Sequence, residues 1–555
     1  MNTSKPKLMP VIIGFTGHRD IPPEYIAYLE RRVEAQLLSI RRMYPNCPIT
    51  VLSSLAEGAD RLCARSALKT GCRLAAPLPM EQDEYEKDFD EISTHDFREL
   101  LSRCDEVFTV CPIEPKPAPD GDPARSYYYR QAGLYVAKRA HILIALWDGA
   151  EKLSPEGGGT YETICFARHE NAIICHIPTP RLSSMDSGEP EIGESCVPAI
   201  PKDERLTAIE EFNRDIVRYE TEINSSILQN KQYVIDAPCE KQLDANLAGV
   251  LNAFLCADAL SIKYRDLKLL ALKLLSGFGL LLVLTFLAYD EMESELMLYV
   301  YGVFIILMFA VYRITSKRGL HEKYISYRAL AEALRVQFYW ALGGVSQNVC
   351  DGYTYAQNLE LGFVRFIINA LGVTGAGNSD LKKRPTGTSL DCVYRFWIRG
   401  QHDYHKSSAS KKDKQYRRNN IASKSLIVLS VLLFVFVVVM ELFFKTKMGE
   451  ALPVSDALRN FLLIHEGEDI IWRGIIKIVC GMVPAGTAFL ANYYESLSLP
   501  NQILESRHMT ALFGAAPQGG DSLTGVHLAM LGRESVIESG GWYISQKENA
   551  PGLFI

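Results

Sequence analysis

Four runs of mostly apolar residues after residue 268 constrain the fold of this chain more than any other feature. They cover residues 269–288, 296–314, 425–444 and 475–494. A helix needs about 20 apolar residues to cross the hydrocarbon core of a bilayer, and each run has about that length. The alternative is four buried core helices, but helices that are apolar on every side are uncommon in soluble domains. The pattern therefore predicts four membrane-spanning helices.

The charges beside these runs predict how the helices are oriented. Residues 395–424 contain nine Lys or Arg and only two Asp, and residues 313–323 are also basic. Basic segments stay on the cytoplasmic side of a membrane, so the acidic turn at 290–295 is expected on the outer side. With four spans, both termini lie in the cytoplasm and the loop 445–470 lies outside. The first residues carry no signal-peptide pattern.

The average composition hides this division of the chain. The 555 residues are 48% hydrophobic, with a formal charge of −6 and a mean hydropathy of +0.00. These values are typical of a soluble protein, and the length implies more than one domain. The acidic balance argues against a globally basic nucleic-acid-binding protein. The 13 Cys include no CxxC pair, so the sequence predicts reduced, buried cysteines and no metal site.

Six short β-rich runs alternate with amphipathic helical segments before the first apolar run. Such alternation favours a parallel sheet that is covered by helices on both faces. The predicted fold class is therefore an α/β, Rossmann-like parallel sheet domain followed by an all-α region of four transmembrane helices with cytosolic helices. The predicted strands cover residues 10–16, 49–55, 73–79, 106–112, 141–148 and 172–178.

Shifts in composition along the chain predict seven parts. A stretch rich in Ser, Pro, Gly and acidic residues after the last strand is typical of a linker. In order, the parts are a ligand-binding domain at 1–180, a linker at 181–204, a helical connector at 205–265, a first transmembrane pair with a cytosolic helix at 266–350, a basic cytosolic connector at 351–424, a second transmembrane pair at 425–495 and a cytosolic C-terminal region at 496–555.

Three glycine-containing loops follow predicted strands of the first domain. Glycine after a strand lets the backbone approach a ligand, and the next helix offers free N–H groups to an anion. Each loop also has an explanation that involves no ligand. The first could be a tight turn, the acidic residues of the second could interact with the helix dipole, and the third could be a flexible loop. All three lie at the carboxyl ends of strands, where ligands bind in open α/β sheets. The candidate ligand-binding residues are Gly14, Thr16, Gly17, His18 and Arg19 in the first loop, Glu57, Gly58 and Asp60 in the second, and Asp148, Gly157, Gly158, Gly159, Thr160 and Glu162 in the third.

The ordered motifs GFTGHR, LAEGADRLCA, LPMEQDEYEKDF and ALWDG…GGGTYET, between residues 10 and 178, resemble the SLOG superfamily. That family includes nucleoside phosphoribohydrolases, DNA-processing proteins and sensor domains for nucleotide-derived ligands. The segments WIRGQHDYH and LGRESVIESGGW resemble SLATT effectors, which are two-span modules of bacterial anti-phage and conflict systems. The resemblance implies a nucleotide-derived ligand, either a cyclic nucleotide or a short oligonucleotide, with no other cofactor. It also implies a partner nucleotidyltransferase that makes this signal and a location in the bacterial inner membrane.

The chain departs from the PGGxGTxxE motif of the phosphoribohydrolases in that family. The proline is absent, and the family's Glu falls at Thr163, one residue after Glu162. One helical position turns a side chain by about 100°. The resemblance makes Arg130 the candidate for the family's Arg, and hence a ligand-binding residue. We therefore expect a sensor without catalytic residues; the alternative is a membrane-anchored nucleotide N-glycosidase that uses Arg130 and Glu162.

Small and polar residues recur in the fourth apolar run and indicate either tight helix packing or a water-lined path. We expect a ligand-gated ion channel or pore that forms as a homo-oligomer, such as a tetramer, because four helices per chain rarely enclose a pore alone. The ligand either opens this channel or holds it shut, and a membrane scaffold without a channel is a further alternative. The candidate pore residues are Glu441, Lys477, Thr487 and Asn492.

Overall fold

All six predicted strands form in the N-terminal domain, and each begins and ends within three residues of its expected bounds. They are β1 (Val11–Gly17), β2 (Ile49–Leu52), β3 (Arg73–Leu78), β4 (Glu106–Thr109), β5 (Ile142–Trp147) and β6 (Ile173–Pro178). They pair in one parallel sheet with the order β4-β3-β2-β1-β5-β6. The central strands β1, β2 and β5 are buried along almost their whole length, which explains their continuous apolar runs. The predicted α/β fold class is confirmed.

The structure is a computed structural model that describes residues 6–113, 125–152, 159–182, 200–292, 294–373, 385–445 and 471–548. Helices follow the strands of the sheet as the amphipathic segments predict. In α1, Leu29, Val33 and Leu37 are spaced four residues apart and all are buried, so one face of the helix packs on the sheet domain. The helices of the sheet domain are α1 (Pro23–Met43), α2 (Ala59–Lys69), α3 (Gln82–Tyr85), α4 (Glu91–Ser102), α5 (Arg125–Arg139) and α6 (Thr160–His169).

The chain after the sheet is helical within the described residues. A π-helical stretch, Val393–Arg399, lies between the fifteenth and sixteenth helices. The helices are α7 (Glu204–Arg218), α8 (Glu220–Asn230), α9 (Ala237–Glu240), α10 (Ala245–Met292), α11 (Glu295–Lys317), α12 (Leu320–Leu342), α13 (Tyr355–Glu360), α14 (Gly362–Leu371), α15 (Gly387–Cys392), α16 (Gly400–Lys445), α17 (Ile471–Ser496), α18 (Leu499–Gly514) and α19 (Gly525–Glu548).

Spatial contacts group these elements into two units whose segments are far apart in the sequence. The first unit comprises Met1–Leu260, Tyr327–Trp397 and Pro517–Ile544. The second unit comprises Ser261–Ser326, Ile398–Ala516 and Ser545–Ile555. The seven consecutive parts expected from composition stay a prediction.

In the first unit, buried polar side chains attach later helices to the sheet. The amide side chain of Asn213 on α7 is fully buried and pairs with the backbone of Met9, accepting from its N–H and donating to its carbonyl, both at 2.8 Å. Trp340 of α12 donates from Nε1 to the carbonyl of Leu528 on α19 at 2.7 Å, which joins these two later helices to each other. These contacts satisfy buried polar groups and make the later helices part of the same core.

By length and composition, three helical stretches of the described chain are long and apolar enough to cross a membrane. They are Ala245–Glu291, Glu295–Leu342 and Gly387–Val439. The first two predicted apolar runs lie in these stretches, and the third run lies in the last stretch from 425 to its end at Val439. This confirms that these three runs form helices of this kind. The fourth run lies in α17, which is not one of the three, so its role as a span stays a prediction.

Candidate functional site

The strand order of the sheet reverses beside β1, which is where open α/β sheets bind their ligands. From β1 the chain moves outward through β2, β3 and β4, and then returns to place β5 on the other side of β1. The register aligns Gly17 of β1 with Leu146 of β5, so the two strands end side by side. Loops that leave such neighbouring strands in opposite directions open a ligand crevice at the carboxyl ends. The three predicted loops all leave the sheet at this edge.

His18 joins the loops that follow β1 and β5. The Asp148 backbone N–H donates to His18 Nε2 at 3.0 Å, and Asp148 Oδ1 lies 3.1 Å from the same nitrogen. Only 8% of the His18 side chain is exposed. Burial lowers the pKa of this imidazole below its ordinary value, although the Asp148 carboxylate opposes the shift. The ring is therefore neutral at pH 7, and its main contact positions the β5 loop.

Gly58 lets the loops after β1 and β2 come together. Its φ of +73° is rarely adopted by other residues, and an added Cβ would lie 2.6 Å from the His18 carbonyl oxygen. That carbonyl accepts a hydrogen bond from the Ala59 N–H at 3.0 Å, at the start of α2. Leu55, in the same loop, also has a positive φ of 56°. The backbone strain at Leu55 marks this loop as tightly constrained.

The other two glycines of the β1 motif lie against neighbouring elements. A Cβ at Gly17 would lie 2.7 Å from the Leu146 carbonyl oxygen, and one at Gly14 would lie 2.7 Å from Val136 of α5. Gly14 is thus required for packing of α5 on β1 and lies within the strand. Thr16, the third residue of the motif, is 8% exposed. The structure thus places Gly14, Thr16 and Gly17 within β1, and His18 follows directly at the carboxyl end of the strand.

Arg19 and Asp60 are charged groups close to each other at the edge of the crevice. Burial raises the pKa of Asp60 to about 7, whereas the Arg19 charge and the backbone N–H groups of Ala56 and Ser54 lower it. The positive charge of Arg19 and the nearby backbone N–H groups thus favour the ionised form of Asp60, whereas its burial opposes that form. Arg19 is exposed, and its guanidinium lies 5.1 Å from the centre of the Tyr129 ring. An exposed guanidinium at this edge is suited to a phosphate.

The remaining acid of the β2 loop contacts α4. Glu57 Oε1 accepts a hydrogen bond from the Ser93 hydroxyl at 2.5 Å. Arg61 of α2, which is 3% exposed, also donates to the Ser93 hydroxyl at 2.9 Å and to the Leu55 carbonyl at 3.1 Å. Glu57 and Arg61 therefore fix the loop against α4.

Arg130 and Glu162 lie together across α5 and α6. Arg130 Nε donates to Glu162 Oε1 at 2.8 Å, and the two side chains are 36% and 15% exposed. Thr163, where the family's Glu would fall, is buried, and a Cβ on Gly133 of α5 would lie 2.6 Å from its hydroxyl. The helix contact leaves little space for a longer side chain at that position.

The third loop is described only in part. Gly157 and Gly158 lie outside the described residues. Gly159 precedes α6, and its carbonyl accepts a hydrogen bond from the Thr163 N–H at 3.2 Å; Thr160 is the first residue of the helix. Neither this N-terminus nor that of α2 has a side-chain hydrogen bond at its cap. Uncapped helix N-termini offer backbone N–H groups to an anion.

Two aromatic residues near Arg19 were missed by the sequence reasoning. The rings of Tyr85 and Tyr129 lie 6.3 Å apart, and the Tyr129 hydroxyl contacts Asp88. Tyr85 is 1% exposed, and burial raises its pKa above the ordinary value. The run of three tyrosines before Arg130 is the sequence signal for an aromatic wall, but it does not show which ring faces the loops.

The candidate pore residues that are described have other partners or lie on the surface. Lys477 Nζ lies 2.8 Å from Glu291 Oε1, at the end of α10. The Thr487 hydroxyl donates to the Val483 carbonyl of its own helix at 2.7 Å. Asn492 is exposed, and the side chain of Glu441 is not among those that the structure describes. Pore lining stays a prediction for all four residues.

Helices α10 and α17 pack side by side in opposite directions. A Cβ on Gly481 would lie 2.6 Å from Leu287, and one on Gly279 would lie 2.6 Å from the Phe489 ring. As the residue numbers rise along α17 from Lys477 to Phe489, those of their partners on α10 fall by the same steps from Glu291 to Gly279. The three contacts therefore belong to one antiparallel alignment of the two helices. Small residues that admit large neighbours are typical of packed membrane helices.

Comparison with models of protein families finds no match, and comparison with curated protein sequences finds none either. Among solved structures, DNA processing protein A (DprA) from Streptococcus pneumoniae is similar at 16% sequence identity and a TM-score of 0.22. The similarity covers 32% of this chain and 54% of that protein, so the chain spans about half the length of the protein it matches.

Proposed function

We propose that the protein is a membrane effector that is gated by a nucleotide-derived ligand. The observation that carries this proposal is the meeting of the β1, β2 and β5 loops where the strand order reverses. The same chain has three helices long and apolar enough to cross a membrane. Ligand binding at the crevice shifts the membrane helices between closed and open states of an ion channel or pore.

The chemistry of the crevice suits an anionic ligand. The exposed Arg19 guanidinium and the uncapped N-termini of α2 and α6 favour phosphate groups, and Tyr129 provides an aromatic ring beside them. His18 and Gly58 hold the loops in place. The candidate ligands are a cyclic nucleotide and a short oligonucleotide, as in the SLOG superfamily that the motifs resemble.

Gating requires that the ligand bind one state better than the other. A shift from 1:99 to 99:1 needs about 5.5 kcal/mol of differential binding, which several subunits that change together supply more easily than one. We therefore propose a homo-oligomer in the bacterial inner membrane with cytoplasmic termini. By resemblance to SLATT effectors, it acts in anti-phage defence with a partner nucleotidyltransferase that makes the signal.

Ion flux from proteoliposomes tests this function. The full-length protein would be reconstituted and exposed to a panel of cyclic dinucleotides, cyclic trinucleotides and short oligoadenylates. We expect one of these to change the flux, and Arg19→Ala to abolish that response. The matched control is Arg31→Ala, because Arg31 is also exposed but lies on α1. The proposal is contradicted if no compound of the panel changes the ion flux, or if the two variants respond equally.

The Arg130–Glu162 pair favours a second candidate function, hydrolysis of a nucleotide N-glycosidic bond. The structure brings these two residues within 2.8 Å, and an acid beside an Arg is what the phosphoribohydrolase motif provides. Incubation of the purified protein with nucleoside monophosphates and NAD tests this alternative. Release of free base that disappears in Glu162→Gln supports the enzyme and counts against the sensor.

A further inference from the structure

Three metal-ligating side chains meet in the first unit, away from the crevice. Asp236 precedes α9, Cys239 lies in α9, and Cys392 ends α15. One ligand atom from each lies within 4.8 Å of the other two. The two cysteines are 153 positions apart (392 − 239), so no sequence spacing indicates the cluster.

We infer that Asp236, Cys239 and Cys392 form a Zn²⁺ site. With Zn–S bonds of about 2.3 Å and tetrahedral angles, two ligand sulfurs lie about 3.8 Å apart, which is within the observed span. Thiolate ligands favour Zn²⁺ over Mg²⁺ or Ca²⁺, which prefer oxygen ligands only. This inference does not depend on the proposed function.

Hydrogen bonds around the cluster orient these ligands. Asp236 Oδ1 accepts from the Cys239 N–H at 3.0 Å, and Oδ2 accepts from Arg395 Nη2 at 2.6 Å. Metal ligands characteristically have such outer partners, which fix their geometry.

Charge balance also favours a divalent cation. Two thiolates and the Asp236 carboxylate carry three negative charges. Arg395 carries one positive charge, which it shares between Asp236 and the more exposed Asp391. Zn²⁺ offsets two of the negative charges, which lowers the cost of burying the thiolates.

Burial indicates how the fourth coordination position is filled. Cys239 and Cys392 have no exposed surface, whereas the Asp236 side chain is 24% exposed. Solvent therefore reaches the cluster from the carboxylate side. A zinc ion with three protein ligands takes water as the fourth ligand, and the water enters from that side.

Metal analysis of the full-length protein tests the inference. After purification in detergent without chelators, we expect about one zinc ion per chain, with loss of this zinc in Cys239→Ser and in Cys392→Ser. Cys350→Ser is the matched control, because Cys350 is equally buried in the first unit. Arg395→Gln removes an outer partner only, so it should weaken zinc binding by about 10- to 100-fold.

A second measurement does not depend on whether the variants fold. Co²⁺ added to the metal-depleted wild-type chain should give the visible absorption of a tetrahedral thiolate site. A wild-type chain that contains no zinc and gives no Co²⁺ absorption overturns the inference. Zinc retained by both cysteine variants also overturns it, as does an intact chain two hydrogens lighter with Cys239 and Cys392 joined in a disulfide.

Discussion

At the scale of single residues, buried polar side chains connect segments that the sequence separates. His141, which is fully buried, accepts a hydrogen bond at Nδ1 from the Ile12 N–H and donates from Nε2 to the Phe366 carbonyl at 2.8 Å. Its ring stacks on the Phe366 ring with centres 4.5 Å apart. One neutral imidazole thus links β1 and the residue before β5 to α14.

This contact predicts a loss of stability in acid. Burial lowers the pKa of His141 from 6.5 to about 4, so between these pH values the unfolded chain binds more protons than the folded chain. The stabilisation is complete above pH 6.5 and is lost as the pH falls toward 4, by up to about 3 kcal/mol. At pH 7, the His141→Gln variant should unfold at a lower temperature than the wild-type chain. Between pH 7 and pH 4.5, its unfolding temperature should fall by less than that of the wild-type chain. Thermal unfolding in detergent measures both; an equal acid shift in the two proteins contradicts the prediction.

The residues of the crevice were partly predictable from the sequence. Glycine and charge at strand ends predict that His18, Gly58 and Arg19 lie at one edge, because parallel strands all end there. Ligand binding by these residues stays a prediction. The sequence does not show which polar groups form hydrogen bonds with each other. His18 contacts the Asp148 backbone, and Asp60 lies beside backbone N–H groups of its own loop, because burial forces each polar group to find a partner.

At the scale of elements, strand positions were predictable and strand order was not. Strands buried on both faces require continuous apolar runs, which the sequence shows directly. The predicted strand at 49–55 ends at Leu52, because Leu55 takes a positive φ and the chain leaves the sheet. The order depends on pairing between residues far apart in the chain, for which a single sequence has no local signal.

The antiparallel packing of α10 and α17 predicts that a large side chain lowers the stability of the protein at some glycine positions and not at others. Gly481→Leu should destabilise the protein by about 1–3 kcal/mol, because the new side chain meets Leu287. The matched control is Gly302→Leu on α11, where an added Cβ has no neighbour within 4 Å. Leu287→Ala should partly restore the first variant. Unfolding temperatures in detergent measure these effects. Equal changes in unfolding temperature for Gly481→Leu and Gly302→Leu would contradict the packing of α17 on α10.

At the scale of the whole molecule, the average hydropathy combines a polar sheet domain with strongly apolar helices. Large apolar side chains on α11 and α16 stand exposed, among them Ile306 at 68%, Phe309 at 62% and Phe434 at 68%. Exposure of this kind along whole helices is unfavourable in water and favourable in lipid. The grouping of distant segments into two units was invisible in the sequence, because it depends on tertiary contacts alone.

These exposed helices predict integral association with membranes. When cell membranes are washed with alkaline carbonate, the full-length chain should stay in the pellet and be released by detergent only. Proteins bound peripherally to the same membranes should appear in the wash, which provides the control. Recovery of this chain in the wash would contradict the assignment of three helices that can span the bilayer.

The length of α16 has a mechanical consequence. Its 46 residues run without a break from Gly400 to Lys445, a distance of about 69 Å. The predicted span at 425–444 occupies about 30 Å of this, so the basic residues at 400–424 continue the same helix for about 37 Å beyond the lipid. A continuously hydrogen-bonded helix resists torsion along its axis. A rotation of the helix at its Gly400 end would therefore be transmitted to residues 425–444, because no break in the helix lies between them to absorb it.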